Sequence, residues 1–161
     1  MLQQYQRIMV AVDGSAEAEL AFKKAVNVAK RNDATLLLAH VIDTRAFQSV
    51  SSFDGVLAEQ ATEMAKQTLE SYKKDAQANG HDKVSTVIEY GSPKIIISKD
   101  LPKEHQIDLI IIGATGLNAV ERLFIGSVSE SVIRNAPCDV LVVRTDLDNK
   151  LPTTKKTTEA N

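Results

Sequence analysis

Three glycines and two serines lie in one short stretch of the chain, and their spacing suits the binding of phosphate groups. Gly113 and Gly116 are followed, after nine other residues, by Gly126 and Ser127. Glycine has no Cβ, so its backbone can take positive φ and its N–H can approach a phosphate oxygen. Ser127 and Ser129 add hydroxyl groups at a predicted helix start, where the helix dipole favours an anion. The pattern indicates a nucleotide site.

The same stretch has a simpler structural interpretation. Gly113 and Gly116 could merely form a turn, and Ser127 with Glu130 matches the S-x-x-E capping box of a helix start. The capping box accounts for the polar residues but not for three glycines in one strand-to-helix connection, so we favour phosphate binding. Neither the Walker A motif nor the G-x-G-x-x-G dinucleotide motif occurs in the stretch, which excludes both of those site types.

The predicted elements place this stretch directly after a buried strand. Residues 108–113 form a short, β-branched apolar run that is typical of a strand buried on both faces, and residues 127–135 form a helix. A similar run at 7–12 ends in an Asp-Gly-Ser turn, with Ser15 as the N-cap of an amphipathic helix. Residues 34–42 form the next strand, so the first two strands should pair in parallel.

The middle of the chain continues the alternation of strands and helices. Residues 43–54 have no period and predict a loop long enough to suggest function, such as a lid. A long helix at 55–78 precedes a strand at 84–90 whose partial alternation is typical of a sheet edge. Ser92 and Pro93 should begin another helix, Ser92 as its cap, and Pro102 near its end should bend it.

Five strands then alternate with four helices, which predicts an open, doubly wound α/β sheet in a single domain, 1–144. The last strand is 139–143, and the polar segment 145–161 is interpreted as a disordered tail. Ligands of such sheets bind where the strand order reverses, so Asp13 and the Gly113 loop would share a crevice if the first and fourth strands are neighbours. A flat apolar last strand at the edge favours a two-fold dimer.

Single residues with reactive side chains give weaker signals. Asp13 could hold a ribose or a magnesium ion, or it could organise the Asp-Gly turn. Cys138 has no basic neighbour in the sequence and is interpreted as a buried structural thiol. We expect His40 to be a satisfied core residue and His81 and His105 to be solvated. No catalytic set can be assembled from these residues.

Composition excludes several classes of protein. The 161 residues are 43% hydrophobic and 25% charged, which fits one globular domain. The formal net charge of −2 and the lack of a Lys/Arg stripe argue against nucleic-acid binding. No apolar run is long enough for a membrane span and no signal-peptide pattern begins the chain, so we expect a cytoplasmic protein. One cysteine and three scattered histidines give neither an internal disulfide nor a zinc site.

Taken together, the motifs resemble those of the universal stress protein family. The similarity covers nearly all of residues 5–144. Its specificity comes from the glycine signature together with the flanking strand and the Asp13 turn. The segments that carry it are Val10-Ala-Val-Asp13-Gly-Ser15, Ala39-His-Val41, Gly91-Ser-Pro93, Gly113-x2-Gly116-x9-Gly126-Ser127 and Ala136-Pro-Cys-Asp-Val-Leu-Val-Val-Arg144.

The resemblance implies a fold, a ligand and a role. The fold is a five-stranded parallel sheet of order 3-2-1-4-5, like that of the adenine nucleotide alpha hydrolases, and the protein is a homodimer formed through 139–143. The ligand is ATP with Mg²⁺ or Mn²⁺, and the role is regulation in a stress response. Main-chain groups of Val12 and Val41 would hold adenine, and Asp13 the ribose or a phosphate-bound metal ion. The ribose and phosphates would contact Gly113, Gly116, Gly126, Ser127, Val128 and Ser129.

One position departs from the family pattern. Thr115 stands where many members carry a basic or histidine side chain. Its hydroxyl can bind a phosphate but brings no charge, so binding would depend more on Mg²⁺ and on Arg122.

Two other functions stay open. A nucleotide-using enzyme on the same fold, such as a slow ATPase or an adenylyl transferase, would need a further substrate site, which only the loop 43–54 could supply. A flavin-binding electron-transfer protein would be yellow when purified.

Overall fold

The computed structural model describes residues 1–47, 54–114 and 125–152, which form one parallel sheet with helices on both faces. The sheet order is β3-β2-β1-β4-β5 and all four pairings are parallel. This confirms the predicted doubly wound sheet and its order. The strands are β1 (Arg7–Ala11), β2 (Thr35–Asp43), β3 (Val84–Gly91), β4 (Leu109–Gly113) and β5 (Asp139–Val143).

Four helices accompany the strands in the described ranges. They are α1 (Ala16–Asn32), α2 (Asp54–Ala78), α3 (segments Pro93–Ile95, Ile96–Asp100 and Leu101–Glu104) and α4 (Ser127–Asn135). Helices α1 and α2 cover one face of the sheet, and α3 and α4 cover the other. None of the helices in these ranges has the length and apolar character that crossing a bilayer requires.

The central strands read as continuous apolar runs because both of their faces are buried. In β1, Ile8 and Val10 pack toward α1 and α2, whereas Met9 packs toward α3 and α4, and all three are 0% exposed. Strand β3 lies at one edge, as its partial alternation predicts, and β5 lies at the other. The central position of β1 places its carboxyl end beside that of β4, where the strand order reverses.

A wide helical turn precedes Pro102 inside α3, and the expected bend of the helix axis stays a prediction. The N–H of Leu101 bonds to the carbonyl of Ile96, five residues back, through the segment Ile96–Asp100. Proline lacks an N–H and its ring crowds the carbonyl four residues before it, so a wider turn before Pro102 lets the helix continue to Glu104. Ser98 donates its hydroxyl proton to the carbonyl of Lys94 in the same segment.

Three expectations need correction. Ser92 occupies the N-cap position of α3, but its side chain makes no capping hydrogen bond. In the expected loop 43–54, Thr44–Phe47 forms a 3-10 helix, and residues 48–53 lie outside the described ranges. His81 is only 6% exposed, and its Nε2 has no hydrogen-bond partner in the described part of the chain, so the expectation of a solvated imidazole is wrong. Gly80, at a φ of 85°, turns the chain back against the end of α2 and carries His81 inward.

Residues 145–150, directly after β5, form a hydrogen-bonded turn. Asp146 accepts hydrogen bonds from the N–H groups of Asp148 and Lys150, both at 2.9 Å, which closes a compact turn. Lys24 of α1 donates to the Thr145 hydroxyl at 2.6 Å and holds this turn against the domain. The interpretation of 145–161 as a disordered tail stays a prediction, and 153–161 lies outside the described residues.

Candidate functional site

The carboxyl ends of β1 and β4 form the centre of the candidate site. The two strands pair with Val10 opposite Ile111, and β1 and β4 end at Ala11 and Gly113. The prediction that the first and fourth strands are neighbours is confirmed. Ligands of doubly wound sheets bind in the crevice at this reversal of strand order.

Asp13 begins the turn that connects β1 to α1. Its Oδ1 accepts a 2.9 Å hydrogen bond from the N–H of Ser15, while Ser15 Oγ caps the helix by accepting from the N–H of Ala18 at 3.1 Å. Asp13 therefore does organise the Asp-Gly turn, with Gly14 at a φ of 80°. The carboxylate is exposed, and its Oδ2 has no partner among the described residues. One oxygen fixes the turn and the other remains able to bind a ligand.

His40 fixes the backbone just before that turn. Its Nδ1 lies 2.7 Å from the carbonyl oxygen of Val12, and because a carbonyl can only accept, Nδ1 carries the proton. The N–H of Val12 donates to the Ala39 carbonyl at 2.9 Å. His40 is thus the satisfied polar residue that its place in an apolar strand predicts. Its partner could not be identified from the sequence because Val12 lies 28 positions earlier in the chain.

Val41 presents main-chain groups toward the crevice. The Ala39 carbonyl points toward β1, since it accepts from Val12, and backbone direction alternates along a strand, so Val41 points to the same side. Strand β1 pairs with β2 only as far as Ala11 opposite Ala39. The N–H and carbonyl of Val41 therefore face the space beyond the end of β1.

Gly113 is required for close packing. A Cβ built on this residue would lie 3.0 Å from the backbone carbon and oxygen of Glu17, in the first turn of α1. Positive φ angles occur at Gly14, Gly80 and Gly91, not at Gly113, and Gly126 has a φ of −61°. Gly113 and Gly126 therefore do not use the positive φ that glycine permits. Gly113 instead lets α1 approach the end of β4.

The start of α4 is tied directly to the end of β4. Gly126 donates its N–H to the Ala114 carbonyl at 2.8 Å, and Ser129 Oγ donates to the Gly113 carbonyl at 2.7 Å. Gly126 is the N-cap, because its carbonyl accepts from the N–H of Glu130 at 2.9 Å. The two bonds fix the first turn of the helix against the strand that precedes it.

This geometry rules out the capping-box interpretation of the stretch. Ser127 is the first residue of α4 and not its cap, and Glu130 forms an ion pair with Arg134 at 2.8 Å. The N–H groups of Ser127, Val128 and Ser129 have no acceptor within the helix because the first intrahelical bond is that of Glu130. The hydroxyl of Ser127 is exposed, whereas the hydroxyl proton of Ser129 is used in its bond to the strand end.

The remaining candidate residues fall into two groups. Thr115, Gly116 and Arg122 lie outside the described residues. Cys138 is a free, half-buried thiol whose pKa is raised mainly by burial, which agrees with a structural role. No group of three or more His, Cys, Asp or Glu side chains in the described ranges could hold a metal ion by itself. A cation at Asp13 would therefore need ligands from the bound molecule.

Several known proteins are similar to this chain in sequence and fold. The model of the universal stress protein family matches residues 4–144. A protein of Staphylococcus aureus strain USA300 that carries the universal stress protein name is 53% identical over 142 residues, covering 88% of this chain and 86% of that protein. The solved structure of universal stress protein UspA from Lactobacillus plantarum is 35% identical, with a TM-score of 0.82, and the match covers 89% of this chain and all of that one.

A ligand is present in another solved relative. This structure is described as a universal stress protein in complex with cAMP. It is 25% identical, has a TM-score of 0.64, and the match covers 88% of this chain and 98% of that chain. Sequence and fold thus lead to the same group of proteins as the glycine signature.

Proposed function

The chain belongs to the universal stress protein family, and we propose that it binds ATP in the crevice between β1 and β4 as a cytoplasmic regulator of a stress response. The observation that carries the proposal is the start of α4. Its first three N–H groups, which have no acceptor among the described residues, are held beside the end of β4 by the bond from Ser129 to Gly113. Free N–H groups and the dipole of a helix start favour phosphate. The cAMP complex of a relative supports an adenine nucleotide as the ligand.

The residues of the crevice fit the parts of a nucleotide. The phosphates would accept hydrogen bonds from the N–H groups of Ser127, Val128 and Ser129 and from the Ser127 hydroxyl. Adenine would bind the main-chain groups of Val41 that face the β1 side. These groups have no partner on β1, because β1 pairs with β2 only as far as Ala11. Val12 offers less, because His40 and Ala39 already engage its carbonyl and N–H. The roles of Gly113, Gly116, Thr115 and Arg122 at the ribose and phosphates remain predictions from the resemblance.

A magnesium or manganese ion would enter with the phosphates. Mg²⁺ keeps near-octahedral oxygen coordination and usually combines one or two carboxylates with phosphate oxygens and water. Asp13 supplies one such carboxylate oxygen, Oδ2, at the crevice. The N–H groups at the start of α4 and the Asp13 carboxylate would hold the charged phosphates and the metal ion in position. The proposal therefore concerns binding and regulation.

The proposal includes a homodimer formed through β5. This strand ends the sheet, and Leu141 on it is 39% exposed. An apolar edge strand that pairs with a second copy satisfies its outward backbone groups and covers its side chains. Binding at the carboxyl ends of the strands and pairing along the sheet edge use different surfaces, so one copy can do both.

The test is a thermal-shift titration with Mg·ATP on the wild type and on Gly126→Val. The φ and ψ of Gly126, −61° and 154°, are open to valine, so the variant should fold while its side chain fills space at the start of α4. At 100 times Kd, ligand should stabilise the wild type by about 2.7 kcal/mol. Gly55→Val, at an open position on α2, is the matched control and should respond like the wild type.

Two outcomes would overturn the proposal. The first is a wild type that neither releases nucleotide after purification nor gains stability with Mg·ATP. The second is equal stabilisation of the wild type and of Gly126→Val, which would place the ligand elsewhere. Parallel titrations with AMP, cAMP and GTP test whether the triphosphate and the adenine base are both needed.

A further inference from the structure

The edge of the sheet opposite β5 is a long strand, β3, that carries few of the usual features that prevent strand pairing in the described part of the chain. β3 is eight residues long and pairs with β2 along its whole length, and no described strand lies on its other side. Natural edge strands are commonly shortened, bulged or marked with lysine or proline. β3 contains no lysine and no proline, and its one charged residue is Glu89. It is therefore a surface that can accept another strand.

The direction of the backbone shows which groups would pair. Leu36 of β2 donates its N–H to the Lys83 carbonyl at 2.8 Å, so Lys83 points toward β2. Backbone direction alternates along a strand, so the N–H and carbonyl groups of Thr86, Ile88 and Tyr90 point away from the sheet. These three residues present six hydrogen-bonding groups along the edge.

A groove of about 650 Å³ runs along this edge beneath α2. Its floor includes the buried Leu69 and the half-buried Ile88, and its rim is charged. A strand added to β3 would insert every second side chain into the groove, because side chains of a strand alternate between the two faces. Edge and groove thus form one continuous docking surface.

The rim of the groove carries a row of alternating charges. Glu63, Lys66, Glu70 and Lys74 are spaced by three, four and four residues, which places them on one stripe of α2. All four are exposed, and none of them forms an ion pair with a described residue. The row reads acid, base, acid, base in the direction of the chain. In the reverse direction the order is base, acid, base, acid. The row of one copy is therefore electrostatically complementary to the same row of a second copy that runs antiparallel to it.

We propose that this surface binds a second copy of the chain, edge to edge through β3 in antiparallel orientation. A two-fold axis near Thr68 would set Glu63 opposite Lys74 of the partner subunit, and Lys66 opposite the partner subunit's Glu70. Both β3 edges would then exchange backbone hydrogen bonds, giving a self-complementary two-fold contact. An antiparallel second copy places an opposite charge against each charge of the row. An unrelated extended peptide offers no such match, so we favour a second copy as the partner.

This contact is separate from the proposed β5 dimer and from the crevice. Because β3 and β5 are opposite edges of the sheet, one copy can use both edges at once, so a β5 dimer would associate further through β3. The charged row lies on α2, away from the start of α4, so the contact does not depend on nucleotide. Failure of one proposal therefore leaves the other untouched.

Charge reversal tests the contact. Glu63→Lys with Glu70→Lys makes the row entirely basic, and Lys66→Glu with Lys74→Glu makes it entirely acidic. Sedimentation velocity should show that each double variant loses one association step of the wild type, with a dissociation constant raised about tenfold or more because attraction becomes repulsion. An equimolar mixture of the two variants should restore the step. Circular dichroism and the Mg·ATP response should stay those of the wild type.

A backbone variant tests the edge itself. Thr86→Pro removes an outward N–H that no described strand uses, a place where edge strands tolerate proline, so the fold should persist while association is lost. In hydrogen exchange, the amides of Thr86 and Ile88 should be protected at high concentration and exposed on dilution, whereas those of Ser85 and Val87 should stay protected throughout. Unchanged association in the charge-reversed variants, or no restoration on mixing, would overturn the proposal.

Discussion

The Ser129 hydroxyl donates a 2.7 Å hydrogen bond to the carbonyl oxygen of Gly113, joining the first turn of α4 to the end of β4. Ser129 is only 7% exposed and its bond to Gly113 is partly buried, so water can replace the lost donor only in part. Ser129→Ala should lower the free energy of unfolding by about 1–3 kcal/mol, the cost of a buried acceptor without its donor. It should also weaken the response to Mg·ATP, because α4 loses its fixed position. Urea unfolding and a binding titration measure both effects.

Ser131→Ala is the matched control for this prediction. Its hydroxyl lies on the same helix and donates to the Lys94 carbonyl over a longer 3.3 Å distance. We expect a loss of stability under about 1 kcal/mol and an unchanged nucleotide response. If Ser129→Ala behaved like Ser131→Ala in both measurements, the bond to Gly113 would have no role in positioning the site.

Gly113 should resist substitution for a steric reason. In Gly113→Ala, the new Cβ would meet the backbone of Glu17 at 3.0 Å, and that backbone is held by the Ser15 cap of α1. Overpacking of this kind costs about 1–3 kcal/mol of stability. Gly55→Ala, at a position on α2 with open space, should be neutral or slightly stabilising. Thermal melts of both variants without nucleotide test the comparison, and equal melting temperatures would contradict it.

The fold could be predicted from the sequence because its signals are local. Buried strands such as β1 and β4 are short β-branched runs, and the Ser15 cap marks the start of α1. The errors lie where a distant contact decides the local structure. His81, for example, was expected to be solvated, yet the fold leaves it only 6% exposed.

The site could be predicted only in part for the same reason. The spacing of the glycines marked the start of α4, but the function of Gly113 depends on the approach of Glu17, which is ninety-six positions earlier in the sequence. The capping box at Ser127 failed because Gly126 takes the N-cap position, and sequence patterns place helix starts only to within a few residues. The bond from Ser129 was also missed, because no spacing rule marks a hydroxyl that reaches back to a strand.

The turn after β5 should open when Asp146 is replaced. Asp146 Oδ1 accepts from two N–H groups, and Asp146→Ala removes both bonds at once. We expect faster tryptic cleavage after Lys150 and little change in the global melting temperature, because the turn lies outside the core. Asp148→Ala is the control, since only its backbone takes part in the turn. Equal cleavage rates in the two variants would show that the side chain of Asp146 does not hold the turn.

Ionisation of the Cys138 thiol should lower the free energy of unfolding as the solution becomes alkaline. Burial, and to a smaller extent the charges of Asp108 and Asp139, raise the pKa of its thiol in the folded state. A raised pKa means that the folded chain holds the proton more tightly, so the stabilisation is complete below the unfolded pKa of about 8.5 and is lost as pH rises through the folded value. The slope cannot exceed about 1.4 kcal/mol per pH unit for one proton.

Urea unfolding between about pH 8 and pH 10, on either side of the reference thiol pKa, measures this loss. Cys138→Ala should lack the part of the alkaline slope that the thiol contributes, whereas the tyrosines with raised pKa values, Tyr5 and Tyr72, remain in both proteins. Alkylation by iodoacetamide should likewise be slower in the folded wild type than in urea at the same pH, because only the thiolate reacts. A thiol that reacts equally fast in both states would contradict the buried, protonated state and would reopen a chemical role for Cys138.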